Sequence, residues 1–107
     1  RQPCAASAIR ACMIETPRSI ARHMGTPVTF RKGLVDEIRA HAHGRTEEIC
    51  GLLLGESDRV TGALPCRNVA ADPFHAFEID PAQLIAALRA ERGGGPQVVG
   101  CYHSHPC

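Results

Sequence analysis

The sequence predicts a small α/β domain, and three stretches carry that reading. FRKGLVDEIRAHAHG has helical periodicity, ICGLLLG is a short continuous apolar run followed later by a well-capped helix, and QVVGCYHS is β-branched and apolar before it turns polar. The order helix, strands, helix, strand admits either an α/β or an α+β arrangement. At 107 residues and 44% hydrophobic content the chain can bury one modest core, and a second domain is not expected.

Taken in order, residues 1 to 23 lack a basic start followed by an apolar core and a small-residue cleavage site, so no secretion signal is read there. Met24 opens MGTPVTFRKGLVDEI, which reads as a natural start, and residues 1 to 23 are expected to be an extension outside a domain spanning 24 to 107. Thr29 is the expected N-cap of a helix whose stripe is Leu34, Val35, Ile38 and Ala42, with Gly44 ending it. EEICGLLLGE then suits a central strand covered on both faces. Arg59 to Val69 mixes Val60, Leu64 and Val69 with Gly62 and Pro65, predicting a less regular strand or hairpin before a turn at Asp72 and Pro73. In FEIDPAQLIAALRAERGGG, Asp80 is placed to cap, Pro81 takes the first helical position and Gln83 sits where a capping-box partner belongs. Leu84, Ile85 and Leu88 are expected to face the core, and Gly93 to Gly95 to stop the helix. QVVGCYHS completes the set as a buried strand emerging at a surface.

Composition narrows the function. Twelve Lys and Arg against eleven Asp and Glu leave a net charge of +1, and aromatics are only 4%, so neither a nucleic-acid surface nor a base-stacking platform is expected. No stretch approaches the roughly 20 apolar residues of a membrane-spanning helix. The six cysteines form no CxxC pair, which favours free thiols over a disulfide framework and, with no signal, a cytoplasmic compartment. Cys50, inside ICGLLLG, reads as a small buried hydrophobe.

The chemistry gathers at VVGCYHSHPC. Residues two apart on a strand share a face roughly 7 Å apart, so His103 and His105 can converge on one ion, with Tyr102 and Ser104 facing the other way. His41 and His43, two apart on a helix, are separated by about 200° and cannot chelate together; both are expected to be solvated. His23 and His75 stand alone. A four-donor site from Cys101, His103, His105 and Cys107 fails on length, because four alternate residues of one strand span roughly 20 Å. Upstream, Glu47 and Glu48 precede the expected central strand, where a carboxylate can act as a general base or simply meet solvent.

Together, EEICGLLLG, FEIDPAQL and VVGCYHSHP resemble the JAMM (MPN+, JAB-type) metalloprotease domain, particularly its short bacterial members, over roughly Val28 to Pro106. The resemblance implies an MPN fold similar to cytidine deaminases, a mixed sheet covered by the two helices. It also implies a zinc ion (Zn2+) held by His103 and His105, with Glu48, which matches the family position before the strand, as catalytic base. The third zinc ligand of that family is the aspartate of an SxxD pattern that follows HSHP, and its serine stabilises the oxyanion. The sequence ends at Cys107 before that pattern, so an incomplete domain is expected. Neither Asp58 nor Asp72 has a spacing that would replace the aspartate, and Cys107 would have to bend back past Pro106. The implied activity is hydrolysis of a peptide or isopeptide bond in a protein substrate, with ubiquitin-like or sulfur-carrier proteins as candidate partners; oligomeric state is not legible. Two competing readings are a non-catalytic interaction module of the same fold and an unrelated hydrolase whose HxH opens a barrel.

Overall fold

In the computed structural model, which describes residues 8–14, 28–56 and 58–105, five strands form one sheet in the order β1-β5-β3-β4-β2. The elements are β1 (Ala8–Met13), β2 (Thr29–Phe30), α1 (Leu34–Ala42), β3 (Cys50–Glu56), β4 (Arg59–Cys66), α2 (Pro81–Arg92) and β5 (Gln97–His105). Neighbours pair antiparallel except β2 with β4, which is parallel. One core joins Leu34, Ile38 and Ala42 of α1 to Leu53, Val60, Val99 and Tyr102, and a second joins Cys50, Leu52, Cys66 and Val98 to Leu84 and Ala87 of α2. The sheet is therefore the middle layer, with one helix on each face, which is the mixed α/β architecture that the resemblance implied. β3 is central and covered on both sides, so its apolar run does not alternate with polar residues.

Several local expectations are corrected. Thr29 lies in β2 and caps nothing; the N-cap of α1 is Gly33, whose φ of 85° is left-handed backbone that glycine adopts without strain. Val35 is exposed, because Leu34, Ile38 and Ala42 alone complete the narrow buried stripe. β4 is, as expected, a less regular strand: it forms a hairpin with β3 in which Leu54 pairs with Gly62 but Gly55 pairs with Val60, leaving Thr61 as an extra residue, and Pro65 is tolerated because among the described residues β2 pairs only with Arg59 and Val60. In α2, Asp80 does accept from Ala82 N at 3.0 Å, but Gln83 forms no capping box. Its Oε1 instead accepts from Arg67 N at 2.7 Å, tying the helix to the end of β4. Ile85 and Leu88 point outward and only Leu84 and Ala87 pack inward, because α2 covers a patch too small to bury a wider stripe. β1 falls inside residues 1 to 23, the stretch read as an extension, yet it pairs along β5 from Ala8 opposite His105 to Met13 opposite Gly100. No described helix is long and apolar enough to cross a membrane.

One irregularity decides where the site forms. Leu53 pairs with Gly100, but Leu54 pairs with Val98, so Val99 is an extra residue and β5 carries a bulge. Val98 faces the α2 side and Val99 the α1 side; after the bulge the parity reverses, with Cys101 on the α2 side and Tyr102 on the α1 side. His103 and His105 thereby emerge on the α2 side. A regular strand would have turned them under α1.

Tyr102 fills the α1 side by lying across Gly51, its partner on β3. A methyl at residue 51 would overlap the buried Tyr102 ring, whereas one at Gly62 would meet only Leu54 Cβ at 3.8 Å. Gly51→Ala is expected to lower unfolding free energy by about 1–3 kcal/mol, with Gly62→Ala close to neutral, as measured by chemical denaturation. Asp80→Ala removes the α2 cap together with the Arg67 ion pair at 2.9 Å. It should cost about 1 kcal/mol in the same assay.

Candidate functional site

Glu48 sits one residue before Ile49 at the entrance to β3 and is only 4% exposed. Two hydrogen bonds to one residue of β5 fix that entrance: Ile49 N donates to Ser104 Oγ, and Ser104 N donates to Ile49 O, each at 2.9 Å. Ser104 itself is fully buried. The pairing extends the β3–β5 ladder beyond Cys50 and His103, and it sets the Glu48 carboxylate beside the next outward residue of β5. Glu48 Oε1 lies 3.2 Å from His103 Nδ1.

The same Nδ1 is 3.2 Å from Ser104 O. Both neighbours are acceptors, so the proton of a neutral ring belongs on Nδ1, leaving Nε2 with the lone pair; this tautomer follows from the hydrogen-bond partners. Such an arrangement is the one that prepares an imidazole to ligate a metal, since a carboxylate or carbonyl on one ring nitrogen fixes the other as donor. Phe77 stacks on the His103 ring with centroids 4.2 Å apart and planes 15° from parallel, restraining its rotation. His105, two residues on, is exposed on the same face. Glu48, His75, Ala76, Phe77, His103 and His105 line an open groove of about 340 Å³.

The structure thus brings together the three residues singled out from the sequence, Glu48, His103 and His105, while Glu47 does not line this groove but an adjoining cleft of about 350 Å³ near His41 and Arg45, which Glu48 also borders. Among the described residues no group of three or more His, Cys, Asp or Glu is arranged to hold a metal ion. Two imidazoles on one strand face, one of them tautomerically fixed, with a buried carboxylate alongside, fit as part of a zinc donor set and not as all of it. The other candidates go elsewhere. Cys101 packs toward α2, Asp58 binds Thr29 through its backbone, and Asp72 accepts from His75 Nδ1 at 2.8 Å, a bond that holds the Asp72 carboxyl below its usual range. Cys107 lies outside the described residues, as does His23. His41 is not solvated as expected: its Nδ1 lies 3.2 Å from the hydroxyl of buried Tyr102, and burial, with the Arg45 charge, pushes its pKa down. Burial raises the Cys50 thiol to about 11, which leaves it inert.

Three contributors were not read from the sequence. His75 stands alone in the sequence, although Asp72 three residues earlier is a signal that a short turn can pair them. Phe77 gave no signal, because a single aromatic in a loop does not announce what it stacks on. Asn68 gave none either, because its partners are brought to it only by the fold.

Residues 31–107 match the family described as prokaryotic homologs of the JAB domain. A desampylase from Haloferax volcanii is 49% identical over 61 residues, covering 55% of this chain and 44% of the relative. A probable TtuB-protein conjugate cleaving protease from Thermus thermophilus is 37% identical over 76 residues, 70% of this chain and 51% of the relative. The tail tip assembly protein K of Escherichia phage N15 is 36% identical over 77 residues, 72% of this chain and 30% of the relative. The chain spans about half or less of the length of these curated relatives, and no solved structure matches. Since the match runs from before α1 through the histidines of β5, and so takes in both sides of the groove, the chain belongs to the prokaryotic JAB-domain family.

Proposed function

We propose that this domain hydrolyses a peptide or isopeptide bond in a protein conjugate, using a zinc ion held in part by His103 and His105, with Glu48 as the general base. The observation that carries the reading is the Glu48 carboxylate, buried at the rim of the central strand and 3.2 Å from the His103 ring. Burying a carboxylate is costly unless it is partnered, and a scaffold gains nothing by placing one against a histidine at the floor of a groove. The names of the relatives support the substrate class: one is a desampylase and another a protease that cleaves TtuB–protein conjugates. A ubiquitin-like or sulfur-carrier protein joined to a second protein is accordingly the substrate we assign, and the compartment we assign is the cytoplasm.

Zinc at such a site supplies Lewis acidity toward a scissile carbonyl and brings water to deprotonation near pH 7. The chain's own residues supply the rest. Glu48 accepts a proton from the attacking water and returns it to the nitrogen of the departing amine, so the carboxylate is regenerated in each turnover. Phe77 covers one face of the His103 ring and holds its orientation. Ser104 and Asn68 hold the single peptide group between Glu48 and Ile49, the serine by its N–H and the asparagine by its carbonyl, which keeps the base from swinging away.

The test is zinc binding by calorimetry and cleavage of a sulfur-carrier–protein conjugate, both on the longest form that the gene encodes. His103→Ala and His105→Ala should each abolish tight zinc binding, and Glu48→Gln should retain zinc while losing about 100-fold or more in turnover. A Glu48→Gln protein as active as the parent would overturn the assignment of the base.

A further inference from the structure

We propose that Asn68 is the positioning residue that aims Glu48 at His103, by clamping the Glu48 peptide to the loop that carries His75 and Phe77; the inference rests on the hydrolase reading of this groove. Glu48 precedes β3 and so lies outside the strand ladder. Its N–H donates to Pro73 O at 2.7 Å and its carbonyl accepts from Asn68 Nδ2 at 2.8 Å. Both backbone groups of the base are therefore held by the segment that follows β4, rather than by another strand of the sheet.

The Asn68 carboxamide is fully used. Nδ2 also donates to Ala76 O at 2.9 Å, and Oδ1 accepts from Ala70 N and Glu78 N, each at 3.0 Å. An amide has two N–H donors and an oxygen with two lone pairs, and all four find partners here. No other side chain reproduces the set: aspartate has no donors, leucine has neither donors nor acceptors, and glutamine is a methylene longer. The two halves of the amide do different work. Oδ1 closes the 70–78 loop on itself through the N–H groups of Ala70 and Glu78. Nδ2 joins that loop, at Ala76, to the carbonyl of Glu48. Because Phe77 is the next residue after Ala76 and stacks on His103, one carboxamide sets the base and the imidazole in a common frame.

This division makes the aspartate variant informative, since Asn68→Asp keeps an oxygen for Ala70 and Glu78 and loses both donors. The experiment is 15N NMR of the imidazole of His103, at a pH where the ring is neutral, combined with amide exchange. In the unmodified chain the Asn68 carboxamide protons should exchange slowly and the His103 proton should reside on Nδ1. In Asn68→Asp, the Ala70 and Glu78 amides should stay protected while the His103 signals move toward a mixture of tautomers. Turnover should fall by about 100-fold with KM nearly unchanged. Unaltered His103 signals in a variant whose loop amides remain protected would reduce Asn68 to a loop-closing residue and overturn the proposal. Fast exchange of the Asn68 carboxamide in the unmodified chain would overturn it as well, and decides the matter if the variant does not fold. The tautomer and exchange readouts need no hydrolysis, so failure of the hydrolase reading would leave them interpretable and would be seen separately as an inactive parent protein.

Discussion

The groove depends on a reciprocal pair of hydrogen bonds between Ile49 and Ser104. Ser104 contributes its backbone N–H and its hydroxyl oxygen, and Ile49 its carbonyl and its N–H, each contact 2.9 Å long and fully buried. A neutral hydrogen bond contributes only about 1 kcal/mol net, but an unsatisfied buried donor costs about 1–3 kcal/mol, so this pair resists displacement more than its own worth suggests. Its consequence is positional. It prolongs the β3–β5 pairing past the last regular ladder residue and so places Glu48, which has no strand partner, beside His103.

The bulge at Val99 works on the same strand to a complementary end. Reversing the parity of β5 puts Tyr102 and Ser104 on the α1 side, where one fills the space over Gly51 and the other locks Ile49. The same reversal turns His103 and His105 to the α2 side, where the 70–78 loop supplies Phe77 and His75. Packing and chemistry are thus two faces of one extended segment: the alternate residues of YHSH go alternately to the core and to the groove. Substitution at either buried member is expected to be felt at the histidines, because the strand cannot shift by one residue without exchanging its two faces.

Much of this is legible in the sequence. Leu34, Ile38 and Ala42 declared α1 by spacing, Asp80 and Pro81 declared the start of α2, and the continuous run of β3 declared a strand covered twice. The facing of His103 and His105 away from Tyr102 and Ser104 followed from strand periodicity alone. What was not legible depends on contacts between distant segments. Gln83 satisfies a capping pattern by sequence distance, yet finds Arg67 closer in space. Thr29 looked like a cap because nothing local reveals that β4 lies alongside to draw it into the sheet. The bulge left only an ambiguous mark, Gly100, and the four bonds of Asn68 left none, since each partner is brought to it by the fold.

The most direct test of the central role of the Ile49–Ser104 pair is hydrogen exchange at the Ile49 amide in the unmodified chain and in Ser104→Ala. In the unmodified chain that proton should exchange as slowly as those of the β3 interior. In Ser104→Ala, Ile49 should lose its protection while Leu52 and Leu53 keep theirs, marking a local release of the strand entrance that carries Glu48. An Ile49 amide that stays fully protected without the serine hydroxyl would contradict this role, because the entrance to β3 would then be held by something other than the Ile49–Ser104 pair.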